Sequence, residues 1–190
     1  CDVKEATIQC MRHPIGSKPL KEVVSKGDKV CIVCADVTRT WNHSDQFVIH
    51  VVNELNLAGI PDDDICILFA QGTHREQTHE EDIAVVGEEL TKRVKLYQHH
   101  CLNKDELVHV GDTSRGTPVW LNKHAVEADK VIIIDGITTH LFAGYGGGRK
   151  LILPGVAGDD TIQINHCHAL GGKFGSGINP QTRSTLLENN

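Results

Sequence analysis

The chain has 190 residues, of which 39% are hydrophobic, and a formal net charge of −6. This length and apolar content allow one sizeable core, so a single domain is the expectation. The acidic balance argues against nucleic acid and acidic membranes as partners, and no apolar run reaches the roughly 18 residues that a membrane-spanning helix needs.

Seven cysteines occur without the regular spacing of a disulfide framework, and the opening residues lack the pattern of a signal peptide. Both observations predict a reduced, cytoplasmic location. Cys31 and Cys34 form a C-x-x-C inside an apolar run, but side chains three positions apart on a strand face opposite sides of the sheet. We therefore interpret them as core cysteines rather than as a metal site or a disulfide.

Apolar periodicity and turn residues divide the chain into alternating strands and helices. Residues 1–27 are predicted to form a helix and a connector, with a short helix at 20–24. A strand at 28–35 is followed by a helix with apolar positions Phe47, Val48, Val51, Val52 and Leu55, a strand at 65–70 and a helix at 78–90. Further strands are predicted at 94–97, 107–111 and 118–121, then a helix at 123–128 and a strand at 130–135. This alternation with short connections predicts an α/β, Rossmann-like fold, with a mostly parallel sheet and helices on both faces.

Three polar turns follow predicted strands and contain residues capable of chemistry. They are Asp-Val-Thr-Arg at 36–39, Gly-Thr-His-Arg at 72–75, and a turn after strand 130–135 that contains His140. Because ligands gather at the carboxyl ends of parallel strands, the three turns are expected to converge on one crevice. Their convergence predicts an anion-binding site with histidine acid–base chemistry and leaves the reaction open.

A glycine-rich turn at 144–148 leads directly into Arg149 and Lys150. Glycines beside a lysine let backbone N–H groups approach a phosphate or another anion closely. The turn is not a Walker A loop, because no Ser or Thr follows Lys150 and the glycine spacing differs. The sequence therefore predicts an anion site that is not of the ordinary nucleotide kind.

In order and spacing, these motifs resemble those of the nickel-pincer lactate racemase family. The matching pieces are the turns 36–39 and 72–75, His140 ten residues before Lys150, His166 sixteen residues after that lysine, and Asn179-Pro180. The resemblance implies that residues 1–190 form the cofactor-binding N-terminal domain of a two-domain racemase. It also implies that the first strands and the C-terminal domain of the family lie outside this sequence.

The resemblance further implies a chemistry and a role for each site residue. Family members bind a nickel-pincer nucleotide, take hydride from C2 of a small 2-hydroxy acid and return it to the other face. By position, Lys150 attaches the cofactor, His166 supplies a nickel ligand, His74 and His140 exchange the hydroxyl proton on opposite faces, and Arg39 holds the substrate carboxylate, with Asp36 in the same motif. The cofactor phosphate would be served by the backbone N–H groups of Gly146, Gly147 and Gly148, together with the nearby Thr38 or Arg149.

Alternatives remain open for individual residues. His168 competes with His166 as the nickel ligand. On a regular helix their side chains diverge, so only one of them can face the site, and the family spacing favours His166. Asp159 or Asp160 is expected to cap that helix. Arg75 and Arg149 are alternatively structural partners of Asp36 or Asp135.

Two other functions compete with the racemase. The first is a non-catalytic module of the same fold that binds an anion or the cofactor. The second, an NAD-type oxidoreductase domain, is disfavoured because no G-x-G-x-x-G follows the first strand. If the chain is part of a racemase, its expected partners are a small 2-hydroxy acid and its own C-terminal domain. Neither nucleic acid nor a membrane is expected as a partner.

Overall fold

The computed structural model describes residues 2–140 and 143–168. Its helices are α1 (Val3–Arg12), α2 (Leu20–Val23), α3 (Val48–Leu57), α4 (His79–Val86), α5 (Glu88–Arg93), α6 (Lys123–Val126) and α7 (Asp159–Cys167). Its strands are β1 (Val30–Ala35), β2 (Ile65–Ala70), β3 (Lys95–Gln98), β4 (Leu107–Asp112), β5 (Pro118–Asn122), β6 (Lys130–Ile134), β7 (Thr139–His140) and β8 (Gly144–Tyr145). Short 3₁₀ segments include Val37–Asn42 and Gly148–Leu151.

Strand β1 is central to a four-stranded parallel sheet with the order β3-β2-β1-β6. Every residue of Val30–Ala35 is buried, as expected of a strand covered on both faces. β2 and β6 pair with it so that Cys31 lies opposite Cys66 on one side and Val131 on the other. The carboxyl ends of β1, β2 and β6 therefore meet at one edge of the sheet.

Helices cover one face of the sheet, and mostly irregular chain covers the other. On the first face, Ile32 and Cys34 join a core with Leu55 of α3 and with residues of α4 and α5. On the second face, Cys31 and Val33 pack with α6 and with the segment from the 3₁₀ turn at 148–151 onwards. The α/β prediction is confirmed, and so is the prediction that Cys31 and Cys34 face opposite sides.

The predicted helix at 78–90 is in fact two helices, α4 and α5. A capping box between Thr78 and Glu81 starts α4, as the sequence of that turn favours. Gly87 then takes a φ of +83°, a conformation that interrupts an α-helix. The apolar pattern continues across the break, which is why periodicity alone joined the two.

Strands β4 and β5 pair antiparallel with each other in a small sheet of their own. The turn between them, residues 113–117, is too short for the crossover that parallel neighbours need. Thr161 attaches α7 to this hairpin, since its Oγ1 accepts from the Trp120 backbone N–H at 2.9 Å and donates to the Pro118 carbonyl at 2.8 Å. The hairpin thus fixes the position of α7 beside the sheet.

The matching segment Asn179-Pro180 lies outside the described residues. Within residues 2–140 and 143–168, no helix has both the length and the apolar character needed to cross a membrane. The cytoplasmic location stays a prediction.

Candidate functional site

A cleft of about 430 Å³ opens at the carboxyl ends of β1, β2 and β6. The strand ends that border it contribute Ala35, Ala70 and Asp135. The side chains capable of chemistry that line it are Asp36, Arg39, His74, His140, Lys150 and His166. All three polar turns therefore converge on one crevice, as the strand order requires.

Asp36 connects the first turn to the second through its carboxylate, which is almost fully buried. Its Oδ1 accepts from the backbone N–H of Thr38 at 3.1 Å and from the Thr38 hydroxyl at 2.5 Å, which caps the 3₁₀ segment. Its Oδ2 contacts Nδ1 of His74 at 2.5 Å. Arg39 donates to the same Thr38 hydroxyl at 3.0 Å. Arginine, threonine, aspartate and histidine thus form one chain of hydrogen bonds along the cleft wall.

A buried set of amides below the cleft holds the loop that carries His74. Asp82 of α4 accepts from the side chains of Gln77 and Gln98, both at 2.8 Å. Gln77 in turn accepts from the backbone N–H of Val37, and Gln71 donates to Gln98. Sequence reasoning missed these residues. The detectable signal was polar glutamines at the ends of apolar strands, where an unpaired amide would be costly.

His140 also lines the cleft, in a positively charged, partly buried environment. Burial lowers its pKa, and the charges of Lys150, Arg39 and His166 lower it further. The backbone N–H of Ala143 donates to its Nδ1 at 3.2 Å. An Nδ1 that accepts leaves the proton of neutral imidazole on Nε2.

The two histidines therefore have opposite hydrogen-bonding patterns. In His74, Nδ1 faces a carboxylate, which only accepts when ionised, so Nδ1 carries the proton and Nε2 is the acceptor. In His140, Nδ1 is the acceptor and Nε2 the donor. One cleft thus contains an imidazole whose Nε2 is a hydrogen-bond acceptor and another whose Nε2 is a hydrogen-bond donor.

Lys150 and His166 share this environment. Burial, followed by the charge of Arg39, lowers the pKa of Lys150, while Asp135 opposes that shift. Burial and Lys150 lower the pKa of His166. Asp135 itself has a pKa raised by burial, although hydrogen bonds from the Gly136 N–H and the Asn42 amide favour its ionised form.

The glycine turn brings two chain segments into close contact. The backbone N–H of Gly146 donates to the Thr138 carbonyl at 2.7 Å. Gly147 has a φ of +82°, and a Cβ there would lie 2.8 Å from the Gly136 carbonyl oxygen. A Cβ at Gly148 would meet open space. Packing against residues 136–138 therefore explains the glycines at positions 146 and 147.

Only some of the residues assigned to a cofactor phosphate line the cleft. Gly146 and Gly147 line the cleft. The described lining residues do not include Thr38, Gly148 or Arg149. Thr38 instead bridges Arg39 and Asp36, because its hydroxyl accepts from the Arg39 guanidinium and donates to the Asp36 carboxylate.

The side chains of the two histidines at the C-terminal end of α7 point to different surroundings. His166 lines the cleft, whereas Nε2 of His168 lies 2.9 Å from the hydroxyl of buried Thr117. Side chains two positions apart on a helix diverge, which explains the split. The placement favours His166 as the residue available to a bound group.

Arg75 is not a partner of Asp36, so that alternative is wrong. Its guanidinium pairs with both carboxylate oxygens of Glu81 at 2.6 and 2.7 Å. Asp36 is satisfied by Thr38 and His74 instead. The capping glutamate of α4 is closer to Arg75 in the chain, and the bidentate geometry suits a guanidinium.

The cleft offers few side chains that could bind a metal. Among the described residues, no group of three or more His, Cys, Asp or Glu side chains could hold a metal ion. A metal that arrives within an organic cofactor needs few protein ligands, and one imidazole beside an amine in the cleft fits that requirement. The donor set therefore suits a cofactor-borne metal rather than a protein-built cage.

The fold and the cleft define an α/β domain that presents three histidines, an arginine and a lysine at the carboxyl edge of a parallel sheet. The chain belongs to the lactate racemase N-terminal domain family, whose model matches residues 1–176. It is similar to the lactate racemase of Lactiplantibacillus plantarum, with 34% identity over 167 residues, covering 86% of this chain and 38% of the relative. It is also similar to the lactate racemase of Thermoanaerobacterium thermosaccharolyticum, with 32% identity over 184 residues, covering 96% of this chain and 41% of the relative.

Solved structures show the same similarity. The lactate racemase apoprotein of Thermoanaerobacterium thermosaccharolyticum superposes with a TM-score of 0.81 and 32% identity, covering 100% of this chain and 43% of that one. A Thermotoga maritima protein shares the fold, with a TM-score of 0.75 and 22% identity. The similarity covers 98% of this chain and 44% of that one. The chain thus spans about two fifths of the length of the relatives that it matches.

Proposed function

We propose that this chain is the N-terminal, cofactor-binding domain of a nickel-dependent racemase or epimerase that acts on 2-hydroxy acids of the lactate type. One observation carries the proposal: His74 and His140 line the same cleft with opposite hydrogen bonding at Nδ1. Inversion of a hydroxyl-bearing centre through a 2-oxo acid needs a proton acceptor for one enantiomer and a donor for the other. Family membership supports the same reaction class.

The protein's own part in the reaction is proton transfer and orientation. Nε2 of His74 accepts the hydroxyl proton of one enantiomer, and Asp36 stabilises the resulting imidazolium through the Nδ1 proton. Nε2 of His140 donates to the substrate oxygen when the other enantiomer is formed. A protonated His140 gives up its proton readily, because burial and nearby cations lower its pKa. The two histidines exchange roles in the reverse direction.

Arg39 is placed to bind the substrate carboxylate. Its guanidinium lines the cleft, and its hydrogen bond to Thr38 couples it to Asp36 and so to His74. A guanidinium can hold a carboxylate with two parallel hydrogen bonds. The substrate would thereby be oriented with its hydroxyl toward an imidazole.

Lys150 and His166 fit the attachment and ligation of the nickel-pincer nucleotide. The lowered pKa of Lys150 favours the neutral amine that covalent attachment requires, and the lowered pKa of His166 favours the neutral imidazole that binds metals. When bound, this group would supply the hydride transfer at C2, which the side chains cannot perform. For its phosphate, Gly146 and Gly147 are favoured by position over Thr38, Gly148 and Arg149.

We further propose that a C-terminal domain of the same protein closes the cleft over the small substrate. The relatives extend well beyond the matched part, since the chain covers 38–43% of their length. Closure would exclude water from the reacting centre. The 190-residue chain alone is then expected to fold without interconverting D- and L-lactate. Interconversion by this chain with cofactor loaded would overturn that expectation.

The test of the function is intact mass of the protein that contains this domain, produced together with the enzymes that make the cofactor. We expect a covalent adduct that is lost in Lys150→Ala and kept in Lys130→Ala, a lysine at the far end of β6. We also expect interconversion of the lactate enantiomers. An adduct without racemisation supports a binding module instead, and the absence of any adduct overturns the cofactor assignment.

A second measurement tests the two histidines directly. His74→Ala and His140→Ala should each lower racemisation about 10²–10⁴-fold, as loss of a positioned acid–base group does. In single turnover from each pure enantiomer, the two variants should retain 2-oxo-acid formation from opposite enantiomers. If both variants favour the same enantiomer, the two-base assignment is wrong.

A further inference from the structure

A row of three side chains crosses the sheet near its amino end, opposite the cleft. Cys31 of β1 lies in register with Cys66 of β2, and Cys66 lies in register with Lys95 of β3. In-register residues on neighbouring strands point to the same face. The two thiols and the ammonium group are therefore adjacent on the second face of the sheet, and the proposed function uses none of them.

The two cysteines are direct neighbours across β1 and β2. Cys31 and Cys66 lie opposite each other in the strand register, and both pack into the core on that face. Paired parallel strands lie about 4.8 Å apart. That spacing falls inside the range of about 4.4–6.8 Å between Cα atoms that a disulfide requires.

The two cysteines differ in access to solvent. Cys66 is partly exposed and lines a cavity of about 200 Å³, together with Lys95 and the stacked rings of Tyr97 and His124. Cys31 is fully buried and is not among the described residues that line this cavity. A reagent that enters the cavity therefore meets Cys66 first, with Cys31 behind it.

The charges around the pair make Cys66 the more reactive thiol. The interaction with Cys31 lowers the pKa of Cys66, and Lys95 lowers it further, against the effect of burial. The same pairing and burial raise the pKa of Cys31. A partly exposed thiol near positive charge is the environment in which cysteines react with oxidants.

Cys34 provides an internal comparison on the same strand. It is fully buried on the opposite face, and burial together with Asp135 raises its pKa to about 12. Such a thiol is inert. Cys31 and Cys34 lie on the same strand, so location on β1 does not by itself make a thiol reactive. The residues that pack against each thiol from neighbouring strands decide its reactivity.

We propose that Cys66 is a redox-modifiable cysteine that is oxidised by peroxides and then forms a reversible disulfide with Cys31. The Cys66 thiolate attacks one peroxide oxygen, the O–O bond breaks, and hydroxide leaves as the sulfur becomes a sulfenic acid. The Cys31 sulfur then attacks the Cys66 sulfur, the S–O bond breaks, and water leaves with the proton of Cys31. Two thiols are oxidised by two electrons in total, and one peroxide is reduced to two waters.

The experiment treats the full chain with hydrogen peroxide, blocks remaining thiols, and maps the products by peptide mass spectrometry. We expect a peptide pair linked through Cys31 and Cys66 that a dithiol reductant separates. Cys31→Ser should give instead a Cys66 sulfenic acid that dimedone traps. Cys34→Ser, the matched control, should behave like the wild type.

Several outcomes overturn the proposal. They are the absence of the linked pair, dimedone labelling of exposed Cys10 without labelling of Cys66 in Cys31→Ser, and a linked pair that joins Cys31 to a cysteine other than Cys66. Folding of the variants need not be assumed, because limiting iodoacetamide on the wild type gives a second measurement. Cys66 should be alkylated before Cys34, and equal or reversed order would contradict the assignment.

Discussion

Nδ1 of His74 lies 2.5 Å from Oδ2 of Asp36, although 38 positions separate the two residues in the chain. The contact arises because β1 and β2 are parallel neighbours, so the residues that follow them emerge side by side. It fixes which nitrogen of His74 carries the proton. The acid–base role of this histidine therefore depends on a carboxylate that is almost fully buried.

Asp36→Asn tests that dependence. An asparagine amide can donate to Nδ1, so the His74 proton should move to Nε2 and remove the proton acceptor from the cleft. We expect the ¹⁵N spectrum of His74 to change tautomer, and racemisation by the complete enzyme to fall about 10²–10⁴-fold. Asp45→Asn, an exposed site away from the cleft, serves as the control. An unchanged tautomer would contradict the assigned role of Asp36.

His140 should titrate below its ordinary value. Burial and the charges of Lys150, Arg39 and His166 lower its pKa, so Lys150→Met should raise it toward about 6.5 in an NMR titration. Lys130→Met should leave it unchanged. Because the unfolded chain takes up this proton at higher pH than the folded chain, His140 should make the free energy of unfolding fall as the pH drops below about 6.5. That decline should end below the folded pKa.

Asp82→Ala should loosen the loop that carries His74. The side-chain amides of buried Gln77 and partly buried Gln98 would lose their shared acceptor. We expect the free energy of unfolding to fall by about 2–4 kcal/mol in denaturant titrations. Asp82→Asn keeps an acceptor oxygen and should lose less. Equal losses would indicate that the charge of Asp82, rather than its hydrogen bonds, is what matters.

Gly147→Ala and Gly148→Ala distinguish packing from backbone conformation in the glycine turn. Both residues have a positive φ, but only at Gly147 would a Cβ lie as close as 2.8 Å to a backbone oxygen. Gly147→Ala should therefore destabilise the fold by about 1–3 kcal/mol more than Gly148→Ala, as overpacking does. Thermal and urea unfolding of the pair measures the difference. Similar stabilities would refute the close contact with Gly136.

Asn165 is fully buried, and neither its side-chain oxygen nor its nitrogen has a hydrogen-bond partner in the part of the chain that the structure describes. Because an unsatisfied buried amide costs stability, Asn165→Leu should raise the free energy of unfolding by about 1 kcal/mol. Gln163→Leu, exposed on the same helix, controls for helix propensity. Destabilisation by Asn165→Leu would mean that the amide has a partner in solution, such as a bound water.

The turns at the strand ends could be located from the sequence because local patterns encode them. Apolar β-branched runs predict buried strands, and the polar residues that follow must then lie at the sheet edge. Asp36, His74 and His140 were identified in this way. Gln77 and Asp82 were not, because their importance depends on contacts with Val37 and Gln98 that no local pattern records.

The sequence by itself determined the α/β class, the family, and which side chains reach the carboxyl edge of the sheet. The tertiary structure alone decided the opposite hydrogen bonding of His74 and His140, the diversion of His168 to Thr117, and the pairing of Cys31 with Cys66. The physical reason is that periodicity encodes burial along one element. Strand register and packing, which join residues far apart in the chain, set the partner of each group and hence its chemistry.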